Sequence, residues 1–176
     1  MQAPFFGKAQ FIPRTWSKNG DSYVLKQTLD GPYFQPLDPP HRVEAGEWTS
    51  TRPERQRTEV SFLEQSAAIT ETEKGYRVRM QSFGTRGVPV VVEVSARGQD
   101  GLQMDGLVRA PDAVDAFLLA GGNAVVRGGK HSIRFGPGKQ AHRYTQVRGA
   151  ERKLPGGSVY ITGVTPFDHT LEFICG

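Results

Sequence analysis

A chain of 176 residues, 37% apolar and 23% charged, has the length of one domain and enough apolar material for a core without disulfide or metal staples. Twenty-one Gly and twelve Pro, scattered among short apolar runs, predict frequent turns and therefore β rather than α structure. The net charge is +4, and a single cysteine excludes both an intrachain disulfide and a Cys/His zinc set.

That cysteine, Cys175, follows Phe173 and Ile174 and reads as a small apolar filler, with no adjoining Lys or His to activate its thiol. Residues 1–8 lack the apolar stretch of a signal peptide, and no run has the length of a membrane span, so no membrane partner is expected. Localisation stays open. A lack of disulfides fits a reducing compartment, and a domain excised from a longer exported protein would be periplasmic or secreted.

In chain order, residues 1–14 carry Phe5, Phe6 and Phe11 without a clean period. Residues 22–28 (SYVLKQT) read as a short strand. Residues 31–42 contain four prolines, each without a ladder donor, and predict an ordered loop pinned by Tyr33 and Phe34. With the polar stretch 49–57 it forms a Pro-rich connection, 31–57, packed on the body. In residues 58–64, Val60 and Phe62 share a face, and 67–72 form a further strand. Glu73-Lys74-Gly75 is a hairpin turn with Gly available for positive φ. Beyond it, Tyr76, Val78 and Met80 alternate with Arg77, Arg79 and Gln81, the period of a half-buried strand. Residues 88–96 (VPVVVEVSA) are almost continuously apolar, as in a strand covered on both faces.

Residues 98–101 turn the chain into 102–108, and 111–116 (PDAVDA) suit one helical turn. Strands at 116–120, 123–127 and 130–135, separated by paired glycines, read as a meander. Strands at 158–163 and 170–174 close the chain. No helical pattern exceeds about two turns. The expected fold is all-β, a two-sheet antiparallel β-sandwich of jelly-roll type with few or no helices, as a single domain over 1–176. A β-helix is the alternative, although no fixed-period repeat supports it.

The strongest chemical signal is charge placement. Residues 127–153 hold eight Lys or Arg against one acid, Glu151, so this segment carries +7 and the rest of the chain −3. His131, His142 and Tyr144 fall inside it. Such a field attracts anions; a solvated basic face without a ligand is the plainer account. Within it, the FGPG corner at 135–138 precedes Lys139, His142 and Tyr144. The corner suits a turn between strands better than a phosphate cradle, because the P-loop spacing is absent. Arg77 and Arg79, about 7 Å apart on one strand face, have the reach to fork onto carboxylates or sulfates. Glu71 and Glu73 on the paired strand are equally placed to neutralise them.

Trp48, after the Pro-rich loop, and Trp16 suit either a sugar-stacking role or a core anchor, with the anchor favoured. Asp168 and His169 resemble half of an acid–base pair, but adjacent residues of a strand point to opposite faces, and His169, at a loop corner before the last strand, reads as structural. Glu93 lies in the most apolar strand, and no Ser-His-Asp set or paired-carboxylate geometry is legible. The four histidines have no metal-ligand spacing, so neither a metal nor a cofactor is expected.

Three functions follow from these residues. By architectural analogy the chain is expected to be a non-catalytic, carbohydrate-binding accessory domain of a larger polysaccharide-processing protein, favouring anionic glycans. Arg77, Arg79, His131, Arg134, Lys139 and His142 would supply the polar contacts, and Tyr144 or Trp48 the stacking surface. The second is a lyase on an acidic polymer, with His131, His142 or Tyr144 as base. The third is a structural or interaction module without a ligand. Nucleic acid is disfavoured because only Phe135 and Tyr144 offer stacking rings within the basic segment.

Overall fold

The computed structural model describes residues 1–3, 10–37, 48–95, 102–104, 107–110, 116–145 and 157–176. Its strands are β1 (Thr15–Asn19), β2 (Ser22–Phe34), β3 (Arg57–Thr72), β4 (Gly75–Gly84), β5 (Pro89–Ser95), β6 (Leu102–Met104), β7 (Leu107–Arg109), β8 (Ala116–Leu119), β9 (Ala124–Gly128), β10 (His131–Gly136), β11 (Ser158–Val164) and β12 (Phe167–Cys175). One helical turn, α1 (Trp48–Thr51), runs into a 3-10 turn at Arg52–Glu54. The chain is a β-sandwich. A wide sheet has the order β1-β2-β3-β4-β12-β10-β9-β6, and a narrow one the order β5-β11-β8-β7.

Alternation within the strands sends Ala67, Met80, Leu171, Phe167, Phe135 and Ala124 inward from the wide sheet. They meet Val90, Val92, Val159, Ile161 and Leu119 of the narrow one. Each large side chain buried there contributes about 1.5–3 kcal/mol. A second cluster, with Val91, Ala116, Leu118 and Tyr160, lies on the other face of the narrow sheet. The apolar run in β5 is thus covered on both faces, as its composition predicts.

Several local expectations are modified. Residues 31–34 continue β2 instead of opening a loop. Pro32 is tolerated because the pairing shifts register between Gly31 and Tyr33, and because β1 reaches only as far as Lys26, which leaves that stretch at an edge. The two strands expected at 58–64 and 67–72 are one, β3. Val60 and Phe62 are 50% and 43% exposed, and Leu63 enters the core instead. The region 116–135 is not a continuous meander. β8 belongs to the narrow sheet, where it pairs with β7 and runs parallel to β11, the one parallel pair among the described residues; β9 and β10 are in the wide sheet. The helical turn expected at 111–116 and the turn at 98–101 lie outside the described residues, apart from Ala116, which opens β8.

One polar rung crosses the inner face of the wide sheet. Gln27 of β2 donates to Gln65 of β3 at 2.9 Å, and Gln65 donates to Ser82 of β4 at 3.4 Å. Gln27 also donates to the Gln10 carbonyl at 3.1 Å and accepts the Ile12 N–H at 2.7 Å, which ties residues 10–12 to the sheet. Gln65 and Ser82 are fully buried, so these amides settle each other's hydrogen bonds where water is excluded.

Candidate functional site

Among the described residues, eight strands against four leave part of the wide sheet's inner face uncovered. All five residues of β1 are exposed. Trp16 is 72% exposed, contrary to its expected role as a core anchor, because its strand lies beyond the reach of the narrow sheet. It faces Tyr23 of β2, with ring centroids 6.5 Å apart and planes tilted by 40°. Lys18, directly opposite Tyr23, holds its Nζ 5.8 Å from that ring's centroid. A two-residue turn, with Gly20 at φ 57°, joins the strands and fixes this register.

Register carries the exposed face further. Tyr23 pairs with Ile69 of β3, and Ile69 with Val78 of β4. Two residues before Val78, on the same side, Tyr76 is half exposed and sits directly opposite Glu71. There the tip of the β3–β4 hairpin borders a shallow cavity of about 400 Å³ lined by Glu71, Glu73, Lys74, Tyr76 and Cys175. Gly75 takes the positive φ expected at this turn, and a Cβ there would meet the Phe173 carbonyl. Cys175 is exposed rather than a core filler, because β12 outruns the narrow sheet.

Arg77, Arg79 and Arg134 share the opposite, outer face, on β4 and β10 with β12 between them. Arg77 Nε and Nη2 donate to one Glu172 oxygen at 3.2 and 3.0 Å. Arg79 forks onto Asp168 at 2.9 and 2.5 Å, and Gln81 adds a third bond at 3.0 Å. The bond from Arg79 holds the Asp168 carboxyl below its ordinary pKa, and the Arg79 guanidinium is raised in turn. Both arginines are neutralised, but not by Glu71 or Glu73. Glu71 is on the other face, with Tyr76, and the partners come from β12.

Lys139, His142 and Tyr144 lie on a separate loop after β10. The FGPG corner is a packing turn. A Cβ on Gly136 would strike Asn123, one on Gly138 would strike Leu119, and the Gly138 N–H is spent on the Gly122 carbonyl at 2.8 Å. Lys139 stands 5.5 Å from the Phe167 ring centroid. His142 is consumed by backbone. Nε2 lies 3.2 Å from the Val90 carbonyl and 3.0 Å from that of Gly163, while Nδ1 accepts the Tyr144 N–H at 3.2 Å. That pattern fixes the Nε2–H tautomer and leaves no ring lone pair for a base. Burial lowers the His142 pKa, opposed by the two carbonyl bonds.

His169 is similar: Nε2 bonds the Pro137 carbonyl at 2.8 Å, and burial lowers its pKa. It points away from Asp168, as alternation predicts. Glu93 is half-buried on the outer side of the narrow sheet, accepting from Tyr160 at 3.1 Å and Gln2 at 3.3 Å. Burial, with Glu93 next, pushes the Tyr160 phenol up to about 12. His131 is exposed at the start of β10. The backbone of Trp48 opens α1, but its side chain lies outside the described residues, as do Arg148, Arg152 and Lys153. Of the expected site residues, Arg77, Arg79 and Arg134 thus lie on the outer face and Lys139, His142 and Tyr144 on the loop after β10, while His131, on the Phe135 side of β10, joins neither group. The sequence favours a core anchor for Trp16 and offers no sign of its pairing with Tyr23, because an edge hairpin carries no burial signal.

No protein-family model matches the chain, and no curated protein or solved structure matches it.

Proposed function

We propose that this domain is a non-catalytic carbohydrate-binding β-sandwich, an accessory module of a larger polysaccharide-processing protein, with a preference for acidic glycans. The observation that carries it is Trp16, 72% exposed and 6.5 Å from Tyr23 on an uncovered sheet face. A cluster of large apolar rings kept in water is informative where a lone one is not. Rings of this kind stack on the C–H faces of sugars. Covering about 100 Å² of ring is worth about 2.5 kcal/mol before the costs of association.

The acidic preference rests on Lys18, which has no carboxylate within ion-pair distance among the described residues. Arg77 and Arg79 carry their own counter-charges and do not contribute. The test is calorimetric titration of the domain with acidic and neutral polysaccharides at two salt concentrations. Binding to acidic polymers that weakens with salt is expected, and Trp16→Ala lowers affinity at least about tenfold at unchanged thermal stability. Binding indifferent to Trp16→Ala, or absent for every polymer, sinks the assignment and leaves a structural module.

A further inference from the structure

Lys18 and Glu71 mark opposite ends of one stripe. Trp16, Tyr23, the half-buried Ile69 and Tyr76 run obliquely across β1, β2, β3 and β4 on the same face, and the stripe opens at its far end into the cavity at the hairpin tip. Two strand spacings and one two-residue step separate Tyr23 from Tyr76, about 12 Å between their backbones. Rings so far apart serve different sugars of one chain. We infer that the ligand is an extended heteropolysaccharide, with an acidic sugar over Tyr23 and an uncharged one over Tyr76; this rests on the carbohydrate-binding assignment above.

Charge complementarity decides between the ends. At the first, the Lys18 ammonium lies over Tyr23, so a sugar stacked there brings its carboxylate or sulfate to a cation. At the second, Glu71 stands directly opposite Tyr76, a pairing that puts Cβ atoms about 4.5–5.5 Å apart, and Glu73 borders the same cavity. Two carboxylates against the single ammonium of Lys74 repel an acidic sugar. They accept hydrogen bonds from hydroxyl or amide N–H groups instead. A uniform polyuronate fits only the Lys18 end, and a neutral glucan leaves Lys18 unanswered.

The experiment compares three soluble polymers by titration: a neutral glucan, a polyuronate, and a chain alternating a uronate with an uncharged N-acetylhexosamine. Oligosaccharides of the alternating chain are added in increasing length. The alternating polymer is expected to bind at least about tenfold tighter than either uniform one, with affinity rising from disaccharide to tetrasaccharide. Tyr76→Ala, at a half-exposed site that the fold tolerates, removes the gain with length, and Glu71→Gln raises polyuronate affinity several-fold. Equal binding of polyuronate and alternating chain, unmoved by Glu71→Gln, overturns the inference, as does a plateau at the disaccharide. If Trp16→Ala still abolishes that binding, carbohydrate recognition itself survives. Failure of all three polymers to bind removes both.

Discussion

Gln27 makes three hydrogen bonds, the one to Gln65 fully buried, and replacing it with leucine tests whether the amide rung holds the wide sheet together or merely fills space. Gln27→Leu removes the acceptor of the Ile12 N–H and the donor to Gln10 and Gln65. At about 1 kcal/mol net per bond, the expected loss is about 3 kcal/mol, and the buried Gln65 oxygen is left unpaired. Gln65→Leu removes the middle of the rung and is expected to lose about 1.5 kcal/mol. Both single changes break the Gln27–Gln65 bond and leave one polar atom of the other glutamine without it, a loss that the double variant does not incur twice. The double variant should therefore lose at least about 1 kcal/mol less than the two singles together. Urea unfolding of the four proteins, with the denaturant slope checked for constancy, reads this directly, and a 1 kcal/mol change moves Tm by about 2–4 °C at this length. Additivity within about 0.3 kcal/mol would refute coupling through the rung.

Other outcomes follow from the same geometry. His142 and His169 both fold with lowered pKa values, so the unfolded chain takes up protons first as acid is added. Stability is fully present above the ordinary value of 6.5 and is lost as pH falls through the folded values; Tm measured across this range should drop in acid, and less steeply in His142→Gln. Gly163→Ala would set a Cβ 2.2 Å from Phe167 Cδ2 in the core, and thermal unfolding should show a loss of about 1–3 kcal/mol, partly recovered by Phe167→Leu. Arg77→Ala and Arg79→Ala remove exposed ion pairs, so each should change stability by less than about 1 kcal/mol and leave glycan titrations unaltered; a large loss of affinity in either would move the site to the outer face.

Local signals revealed much of the sandwich. The alternation of Tyr76, Val78 and Met80 gives β4 its inner face, Glu73-Lys74-Gly75 its turn, and the valine run of β5 its burial on both sides. β1 escaped notice because TWSKN at a sheet edge buries nothing and so has no pattern to read. Pro32 was overridden by the missing neighbour on its side of β2, a fact of tertiary context. The partners of Arg77 and Arg79 were hidden for a related reason: Glu172 and Asp168 lie 95 and 89 residues away, and only the placement of β12 beside β4 unites them. His142 seemed available as a ligand because the carbonyls of Val90 and Gly163 are invisible in side-chain chemistry.

The position of β12 also governs the order in which the molecule assembles. It is the last described strand in sequence, yet it sits inside the wide sheet, with β4 on one side and β10 on the other. During synthesis the β1–β4 meander emerges early and waits, its β4 edge open, until roughly half the chain has followed. Such distant pairing is slow, and an open edge is where neighbouring chains join wrongly. The fold is therefore most vulnerable before β12 arrives, and a chain that stops short of β12 leaves the wide sheet in two pieces, with β4 and β10 as newly open edges.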